Sequence, residues 1–528
     1  MGKNYKQFFL AVISGVILAL AYPGWNFDLG FLVWFGFLPL FMSLDTASQK
    51  STKQLFTLGY IASLSYLLIV FGWFWSFHPL DTIGLNNRVL SFLLILALYL
   101  ITSGSLALFG SLFSYAFSKF SRRSFLISFA SIAGVFVLLE YLRSIGFGTL
   151  WFGSGTLIGP HWTMGNIAYS LVGNSFALRL SSFIGIYGLS FIVVSINLLL
   201  YHLLNKKNRW LFGIILIGLV GSHFVDFSPT TSGNSLAFAL VQTNQPTKIN
   251  YRPAEKLENF KIQLNLLNTI AIQYPETEMI VFPEGSDFLK DFSLFLSPAQ
   301  AEKYFRALFA KPVLLISGMR ALENEDNYSR VLMLDTRGDI IDYYDKRVLT
   351  PGGEFLPYIL GSVIKISNPE GLSGFTDERE FSIGKKASGG IDFRGKLRAA
   401  PLICSELLGP SSAKIASSNS EALVVLGSTS IFHGWNGLIN EALAMARFRA
   451  AENKKPLVFA ANMGRSYSIS KWGKTEKITP NSNAQILTGF IIPSHERSWY
   501  NRLGDWPILL VSGLMIGITF FTKNVTKA

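Results

Sequence analysis

The hydrophobic pattern of the chain changes character near residues 226 and 505. Outside these two boundaries, apolar residues continue for about the length that a helix needs to cross a bilayer, which is roughly 20 residues. The apolar centres of these eight segments are residues 8–22, 31–44, 56–75, 89–117, 125–142, 180–204, 210–225 and 507–521. We therefore predict a multi-pass α-helical membrane domain over residues 1–225, with seven transmembrane helices, and a last transmembrane helix and tail over residues 506–528.

Between the boundaries, short apolar runs alternate with amphipathic helical patterns. The runs have strand length and lie at residues 236–241, 279–282, 313–317, 331–335, 399–404, 423–426 and 456–460. Helical periodicity covers residues 254–272, 298–308 and 440–453, and a hairpin turn is predicted at residues 335–339. This alternation is typical of an α/β domain, which we place at residues 226–505. Residues 361–390, rich in Gly, Ser and Lys, are interpreted as a surface loop.

Composition and charge agree with a membrane protein. Hydrophobic residues make up 50% of the 528 residues and charged residues 15%, whereas soluble domains average about 25% charged residues. The formal net charge is +13, but the flanking basic residues lie in short loops between apolar segments. A nucleic-acid partner is therefore not expected, because that function needs a basic patch on a folded surface.

The basic loops predict the orientation of the chain in the membrane. Lys and Arg cluster at every second connection, at residues 3–6, 50–53, 119–123, 206–209 and 523–527. Since such loops stay on the cytoplasmic side, we expect both termini in the cytoplasm and residues 226–505 on the periplasmic side of a bacterial inner membrane. The first segment also resembles a signal peptide with Ala19-Leu20-Ala21 as a cleavage site. We expect it to be retained, and cleavage would leave the later topology unchanged.

Cys404 is the only cysteine of the chain and ends an apolar strand. In an oxidising compartment it forms no internal disulfide, so its thiol is either an inert core group or a reactive one. Two more reactive side chains end apolar strands in the same way, because Glu284 follows residues 280–283 and Lys346 follows residues 340–345. Strand ends are rigid positions, suited to holding side chains in a fixed geometry.

These three residue types together suit acyl transfer. A thiol has a pKa of about 8.5 and becomes an effective nucleophile when a base removes its proton or a cation stabilises the thiolate. Glu284 would be that base and later the acid, and Lys346 would stabilise the thiolate and the oxyanion. Each residue taken alone is more often a solvated carboxylate, a surface ammonium or a core thiol. Their combination, order and local setting favour a catalytic triad.

Five segments around these residues resemble the carbon-nitrogen hydrolase, or nitrilase, superfamily. They are Ala239-Leu240-Val241-Gln242, Phe282-Pro283-Glu284, Tyr344-Asp345-Lys346-Arg347, Pro351-Gly352-Gly353-Glu354-Phe355-Leu356-Pro357 and Ile403-Cys404-Ser405-Glu406. The resemblance implies an α/β/β/α sandwich with Glu284, Lys346 and Cys404 as its catalytic triad. Glu354 would support the triad by hydrogen bonding or by setting the charge of Lys346.

Residues next to the triad have more open roles. Ser405 and Glu406 follow the nucleophile, where a backbone N–H is expected to serve the oxyanion. Glu406 either orients Lys346 or the incoming amine, or is only a carboxylate at a helix start. Loops near Trp151, Trp162 and Trp435 either line the entrance to the site or only anchor the protein at the membrane interface.

The membrane segments narrow the resemblance to the apolipoprotein N-acyltransferases. The similar segments are Glu140-Tyr141-Leu142-Arg143, Gly185-Ile186-Tyr187-Gly188-Leu189-Ser190-Phe191 and Ala444-Met445-Ala446-Arg447-Phe448-Arg449-Ala450-Ala451-Glu452. The resemblance implies a ping-pong reaction in which Cys404 takes an acyl group from a phospholipid, typically the sn-1 chain of phosphatidylethanolamine. The acyl group then passes to the α-amino group of the N-terminal diacylglyceryl cysteine of an apolipoprotein. No metal or soluble cofactor is implied, and we expect a monomer in the lipid bilayer.

Four positions depart from the pattern of that family. Ile249 stands where a Trp is common, and Ser405 stands where a Tyr is usual. Gly427-Ser428-Thr429-Ser430-Ile431-Phe432 replaces Ser-Asn-Asp-Ala-Trp-Phe, and Glu441-Ala442 replaces Gln-His. Because these changes remove aromatic and amide groups from the expected pocket, the preference for the acyl donor or the acceptor is expected to differ.

Three alternatives to lipoprotein N-acylation stay open. A membrane-tethered amidase or nitrilase would use water in place of the amine, and an acyltransferase could use a different amine. A catalytically inactive scaffold would keep the fold for binding. The nature of the acceptor separates the first two alternatives from N-acylation, and the behaviour of a Cys404→Ser variant separates the third.

Overall fold

The first half of the chain is helical. The computed structural model describes residues 2–47, 51–80, 85, 87–121, 123–230, 232–246, 251–337, 339–367, 380–481 and 483–521. A helix satisfies its backbone hydrogen bonds internally, which is what an apolar segment in lipid requires. Helices α1 to α7 span Gly2–Ala21, Leu38–Ala47, Thr52–Val70, Arg88–Phe120, Phe125–Leu150, Ser175–Asn205 and Arg209–Ser222.

Four helical segments of the described residues are long and apolar enough to cross a membrane. They are Thr52–Phe77, Arg88–Phe120, Leu126–Leu150 and Ser175–Asn205. Shorter apolar helices occupy Tyr5–Ala21, Gly30–Asp45, Arg209–Ser222 and Trp506–Thr519, where the remaining predicted spans fall. The predicted span at residues 31–44 is divided, because a 3₁₀ turn at Gly30–Trp34 precedes α2. A total of eight spans therefore stays a prediction.

Two six-stranded sheets form the centre of the second half. Strands β1 to β6 are Leu236–Gln242, Met279–Val281, Leu314–Glu323, Asp326–Asp335, Ile340–Asp345 and Ile391–Phe393. Strands β7 to β12 are Leu397–Ile403, Ala422–Ser428, Leu457–Asn462, Tyr467–Ile469, Thr475–Ile478 and Gln485–Ile491. The first sheet has the order β12-β1-β2-β3-β4-β5, and the second has the order β11-β10-β9-β8-β7-β6.

The sheets pack face to face between two helical layers. Helices α8 to α14 span Pro253–Gln273, Phe288–Phe295, Pro298–Leu308, Tyr358–Ser367, Pro410–Ser417, Asn436–Asn453 and Trp499–Leu503. Side chains such as Phe238 and Val424 fill the space between the sheets. Helices α8 to α10 cover the outer face of the first sheet, and α12 and α13 cover that of the second. Strand β1 is buried along its whole length, which explains its continuous apolar run.

The segment interpreted as a surface loop is partly helical. Helix α11 extends to Ser367, and Leu360 within it is buried with residues of the membrane helices. Residues 361–367 of this segment are therefore helical, which its Gly and Ser content concealed. Residues 368–379 lie outside the described residues.

Helix α13 joins the two halves of the molecule through buried charges. Its Glu452 accepts a hydrogen bond of 3.0 Å from Ile186 N of α6 and lies 2.9 Å from Arg449 as an ion pair. Arg449 donates to the hydroxyl of Tyr169 at 2.7 Å. The last helix, α15 at Trp506–Phe521, packs on α5, where Ser131 donates to Met515 O at 3.0 Å. These contacts fix the sandwich against the membrane helices.

Gly185 makes the contact between α6 and α13 possible. Its φ of 65° and ψ of −176° interrupt α6, and the Ile186 N–H beside this kink reaches Glu452. A Cβ atom at Gly185 would lie 2.3 Å from the ring of Tyr500. Both the backbone conformation and the space therefore require glycine.

The Gly185→Ala variant should be destabilised by about 2–5 kcal/mol, the sum of a disfavoured backbone conformation and overpacking. The measurement is thermal unfolding of the detergent-purified protein. Gly218→Ala in α7 is the matched control, because a Cβ there meets nothing within 4 Å. An unfolding temperature equal to that of the wild type for Gly185→Ala would contradict this account.

Candidate active site

Three strands of the sandwich lead to the predicted triad. Strand β2 is parallel to β3, and the two antiparallel pairings β3–β4 and β4–β5 make β5 run in the direction of β2. Glu284 follows β2, Lys346 follows β5, and Cys404 follows β7 of the facing sheet. The structure thus brings together three residues that are separated by about 60 positions each in the sequence.

Lys346 is the centre of this cluster. Its Nζ lies 3.1 Å from Glu284 Oε1 and 2.8 Å from Glu354 Oε2, and only 1% of its side chain is exposed. Nζ also donates to the hydroxyl of Thr350 at 3.3 Å, and Thr350 N donates to Glu354 Oε2 at 2.7 Å. Glu354, on the loop after β5, therefore supports Lys346 directly.

Burial and neighbouring charges act in opposite directions on these groups. Burial alone would lower the pKa of Lys346, but the two carboxylates outweigh it and hold that pKa well above its usual value. Burial raises the pKa of Glu284, against the ammonium of Lys346 and with the help of Glu354. Lys346 is therefore a permanent cation, and Glu284 is a more basic carboxylate than one in water.

Cys404 stands at a strained turn directly after β7. Its φ is 42°, in the left-handed region that side chains other than glycine rarely adopt. Its thiol donates to the carbonyl oxygen of Ser428 at 3.7 Å, and the carboxylate of Glu284 is near enough to act on its charge. Burial, and then the charge of Glu284, raise the pKa of Cys404 to about 12 although Lys346 opposes them. The resting group is a thiol, so a base must take its proton as it reacts.

Glu406 connects the turn at Cys404 with the segment after β5 through hydrogen bonds. Its carboxylate accepts hydrogen bonds of 2.9 Å from Arg347 N and 2.9 Å from Ile403 N, and a third from the hydroxyl of Tyr344. If Glu406 were only a carboxylate at the start of a helix, it would need only the hydrogen bond from Ile403 N. The bonds from Arg347 N and Tyr344 show that it also holds the segment around Lys346. Ser405 is buried and donates to Val348 O. Both residues thus tie the nucleophile turn to the segment that carries Lys346.

An apolar cavity opens beside the thiol, between the sandwich and the membrane helices. It has an empty volume of about 910 Å³, and Cys404, Ser405 and Thr350 border it from the sandwich. Its opposite wall consists of large side chains of the membrane domain: Trp73, Phe74, Phe77, Phe147, Trp151 and Trp162. A smaller apolar cavity of about 520 Å³ adjoins it, and Phe74, Phe77 and Trp151 line both. The triad therefore faces space that suits hydrocarbon.

Two family models match the chain on either side of residue 226. Residues 14–199 match the apolipoprotein N-acyltransferase N-terminal domain, and residues 238–500 match the carbon-nitrogen hydrolase domain. The chain belongs to the apolipoprotein N-acyltransferase family. It is accordingly a membrane-bound acyltransferase of the nitrilase superfamily, and the second domain match agrees with the α/β/β/α sandwich of the fold.

The likeness to three relatives covers nearly the whole length of each chain. An apolipoprotein N-acyltransferase of Geobacter metallireducens is 24% identical and covers 98% of this chain and 96% of its own. The apolipoprotein N-acyltransferase of Thermotoga maritima is 26% identical, and the alignment covers 99% of this chain and 95% of the relative. The apolipoprotein N-acyltransferase of Coxiella burnetii is 27% identical, and the alignment covers 97% of this chain and 99% of the relative. The family likeness thus extends through both the membrane part and the sandwich.

Most departures from the apolipoprotein N-acyltransferase pattern lie around the cavities. Ser405, Ser428, Thr429 and Ala442 line the cavity at Cys404. Glu441 lines a different cavity nearby, together with Trp435, whereas Trp151 and Trp162 lie at Cys404 itself. Ile249 lies outside the described residues.

Sequence reasoning missed several residues of the site. Thr350 bonds both Lys346 and Glu354, and a short-range pattern gives no signal for such a contact. Asn462 donates to the hydroxyl of Ser428 at 3.1 Å and so supports the loop that faces the thiol. Asn462 ends β9, so a search for polar strand ends could have found it. Four aromatic residues of the membrane domain gave no such signal: Trp73, Phe74, Phe77 and Phe147.

Alkylation of Cys404 by iodoacetamide should accelerate about tenfold for each pH unit from about pH 6 to 9, because the thiolate fraction grows in this way below the pKa. Because the pKa of Cys404 is about 12, the alkylation rate reaches no plateau in this pH range. A Cys404→Ser/Ser418→Cys protein, whose new thiol is exposed on the surface, is the control and should level off near about 8.5. A plateau below pH 9 for the wild type would contradict the buried thiol.

Proposed function

We propose that the chain transfers a fatty acyl group from a phospholipid to the α-amino group of the N-terminal diacylglyceryl cysteine of apolipoproteins, through a thioester on Cys404. The position of Cys404 carries this proposal. Its sulfur lies where the buried cluster of Glu284, Lys346 and Glu354 meets an apolar cavity bordered by membrane helices. Acyl transfer between lipids needs charged groups that activate the nucleophile and an apolar space that holds the acyl chain.

In the first half-reaction, Glu284 takes the proton of the thiol while Sγ attacks the ester carbonyl of the phospholipid. Lys346 stabilises the oxyanion of the tetrahedral intermediate, a type of contribution that is worth about 3–4 kcal/mol in other enzymes. The intermediate collapses with cleavage of the ester C–O bond, and Glu284 returns the proton to the leaving lysophospholipid oxygen. The products are a thioester on Cys404 and a lysophospholipid.

In the second half-reaction, the neutral α-amino group of the acceptor attacks the thioester carbonyl. Glu284 takes a proton from the nitrogen as the amide C–N bond forms, and Lys346 again stabilises the oxyanion. Cleavage of the C–S bond releases the sulfur, which regains its proton from Glu284. Glu354 keeps Lys346 in place throughout, and Glu406 and Ser405 hold the turn on which the sulfur stands.

The membrane helices give the acyl chain a place next to the thiol. Each methylene is worth about 0.8 kcal/mol on transfer from water, so a long chain does not cross an aqueous gap to reach an enzyme. The wall of Phe74, Phe77 and Trp151 continues from the cavity at Cys404 into the adjoining one. An acyl chain on the sulfur can therefore stay in an apolar environment.

The proposal includes a location. Residues 1–225 and 506–528 form the membrane domain of an inner-membrane protein, and residues 226–505 face the periplasm with both termini in the cytoplasm. The distribution of Lys and Arg among the loops supports this orientation. The enzyme acts as a monomer, because one chain supplies both the charged cluster and the apolar cavity.

Purified wild-type enzyme mixed with phospholipid alone should gain the mass of one acyl chain on Cys404, measured by intact mass spectrometry and peptide mapping. A diacylated lipopeptide should then remove the adduct and become triacylated. Glu284→Gln should slow adduct formation about 10²–10⁴-fold through loss of the base. Glu258→Gln, an exposed change of the same kind on α8, should leave it unaltered.

Two results would contradict the proposal. A Cys404→Ser protein that still triacylates the lipopeptide would exclude the thioester. Release of free fatty acid, with no triacylated product, would show that water and not the amine is the acceptor.

A further inference from the structure

A second large cavity lies next to the one at Cys404. It has an empty volume of about 1220 Å³. Three parts of the chain line it: the end of α1 with Tyr22 and Trp25, the segment after α3 with Trp73, and the region around the start of α13 with Trp435 and Glu441. The mechanism described above does not use this space.

Helix α13 and Trp73 separate the two cavities. Leu438 and Ala442, one helical turn apart, line the cavity at Cys404. Gly437 and Glu441, also one turn apart, line the second cavity. Trp73 lines both cavities, and its buried indole N–H has no hydrogen-bond partner among the described residues. The partition is thus thin, and it contains a small side chain, Ala442, and a polar group without a partner.

The two cavities differ in chemical character. The walls at Cys404 are almost entirely apolar, whereas the second cavity contains Asn26, Asn436 and the carboxyl group of Glu441. Its aromatic walls include Trp25 and Trp435, which are partly exposed. A carboxylate among aromatic faces suits an ammonium group attached to an apolar body.

The carboxyl group of Glu441 is buried and forms no ion pair within 4 Å among the described residues, although the charge of Arg143 acts on it from farther away. The Glu441 side chain is only 2% exposed and accepts a hydrogen bond from Tyr22. Gly165 N donates to the Tyr22 oxygen at 2.8 Å, which leaves the Tyr22 proton for Glu441. Burial raises the pKa of Glu441 to about 8. A buried carboxyl group of this kind gains from a positively charged ligand.

We propose that the amine acceptor reaches the enzyme through the second cavity and that Glu441 binds its ammonium group before the amine passes Trp73 to the thioester. This inference rests on the proposed function. After the first half-reaction the acyl chain fills the apolar cavity, so a second amphiphile needs another way to the same carbonyl carbon. Glu441 and Ala442 are thereby assigned to acceptor recognition.

Glu441→Gln is the decisive variant, because it removes the ability to ionise beside a bound ammonium group while its amide oxygen still accepts from Tyr22. The KM for a diacylated lipopeptide should rise about tenfold, as expected for loss of a charge-assisted hydrogen bond. The rate of acyl-enzyme formation from phospholipid alone, followed by intact mass, should be unchanged. Glu302→Gln, an exposed carboxyl group on α10, is the control and should alter neither quantity.

A second variant separates charge from structure. Tyr22→Phe removes the hydrogen bond and keeps the carboxyl group, so its KM for the lipopeptide should change less than about threefold. An N-acetylated lipopeptide, which has no ammonium group, should inhibit the wild type and Glu441→Gln equally.

The outcomes that overturn the inference differ from those that overturn the proposed function. An unchanged acceptor KM in Glu441→Gln defeats the inference. Equal slowing of both half-reactions also defeats it, because Glu441 would then be only structural. Absence of any acyl adduct on wild-type Cys404 defeats the proposed function itself.

Discussion

The buried ammonium of Lys346 is the interaction on which the rest of the site depends. Its Nζ lies within 3.1 Å of Glu284 and 2.8 Å of Glu354, in a place from which water is excluded. A buried charge of this kind is stable only with its partners, and removal of one partner typically costs about 3–5 kcal/mol. The cluster therefore fixes the end of β2, the end of β5 and the following loop relative to one another.

The same cluster explains how an unreactive thiol can react. Burial keeps Cys404 protonated, with a pKa of about 12, so a preformed thiolate is not the nucleophile. Burial also raises the pKa of Glu284, which brings the base closer to the thiol in proton affinity. Lys346 keeps its charge and can stabilise negative charge wherever it develops near the sulfur. The sequence suggested that Lys346 stabilises both the thiolate and the oxyanion, and the proposed mechanism uses the second of these roles.

The membrane helices complete the site from the other side. Arg449 and Glu452 bind α13 to Tyr169 and to the kink of α6 at Gly185, so the sandwich has a defined position on the helices. Only in that position do Phe74 and Trp151 form a wall opposite Cys404. The apolar cavity is therefore a property of the whole chain, and neither half contains it alone.

Much of this arrangement could be predicted from local sequence. The apolar runs before Glu284 and Cys404 are buried strands as expected, whereas β5 before Lys346 is an edge strand with mostly exposed side chains. Long-range packing could not be predicted in the same way. Thr350 reaches Lys346 and Glu354 only through the shape of the folded loop. Two of the three bonds of Glu406, from Arg347 N and the hydroxyl of Tyr344, join segments far apart in sequence. An apolar helix has hydrophobic residues on every face, so the sequence pattern does not show that Trp73 faces the site. The pattern also does not settle how many of the apolar segments cross the membrane.

The central claim is that the charged cluster and the apolar cavity meet at one sulfur atom. An electron cryomicroscopy map of the enzyme mixed with phospholipid, in the absence of an amine acceptor, tests it most directly. We expect density for an acyl chain that is continuous with Cys404 Sγ and runs between Phe74, Phe77 and Trp151. A chain that runs into the cavity of Glu441, or a sulfur with no attached density while the phospholipid is consumed, would contradict the account.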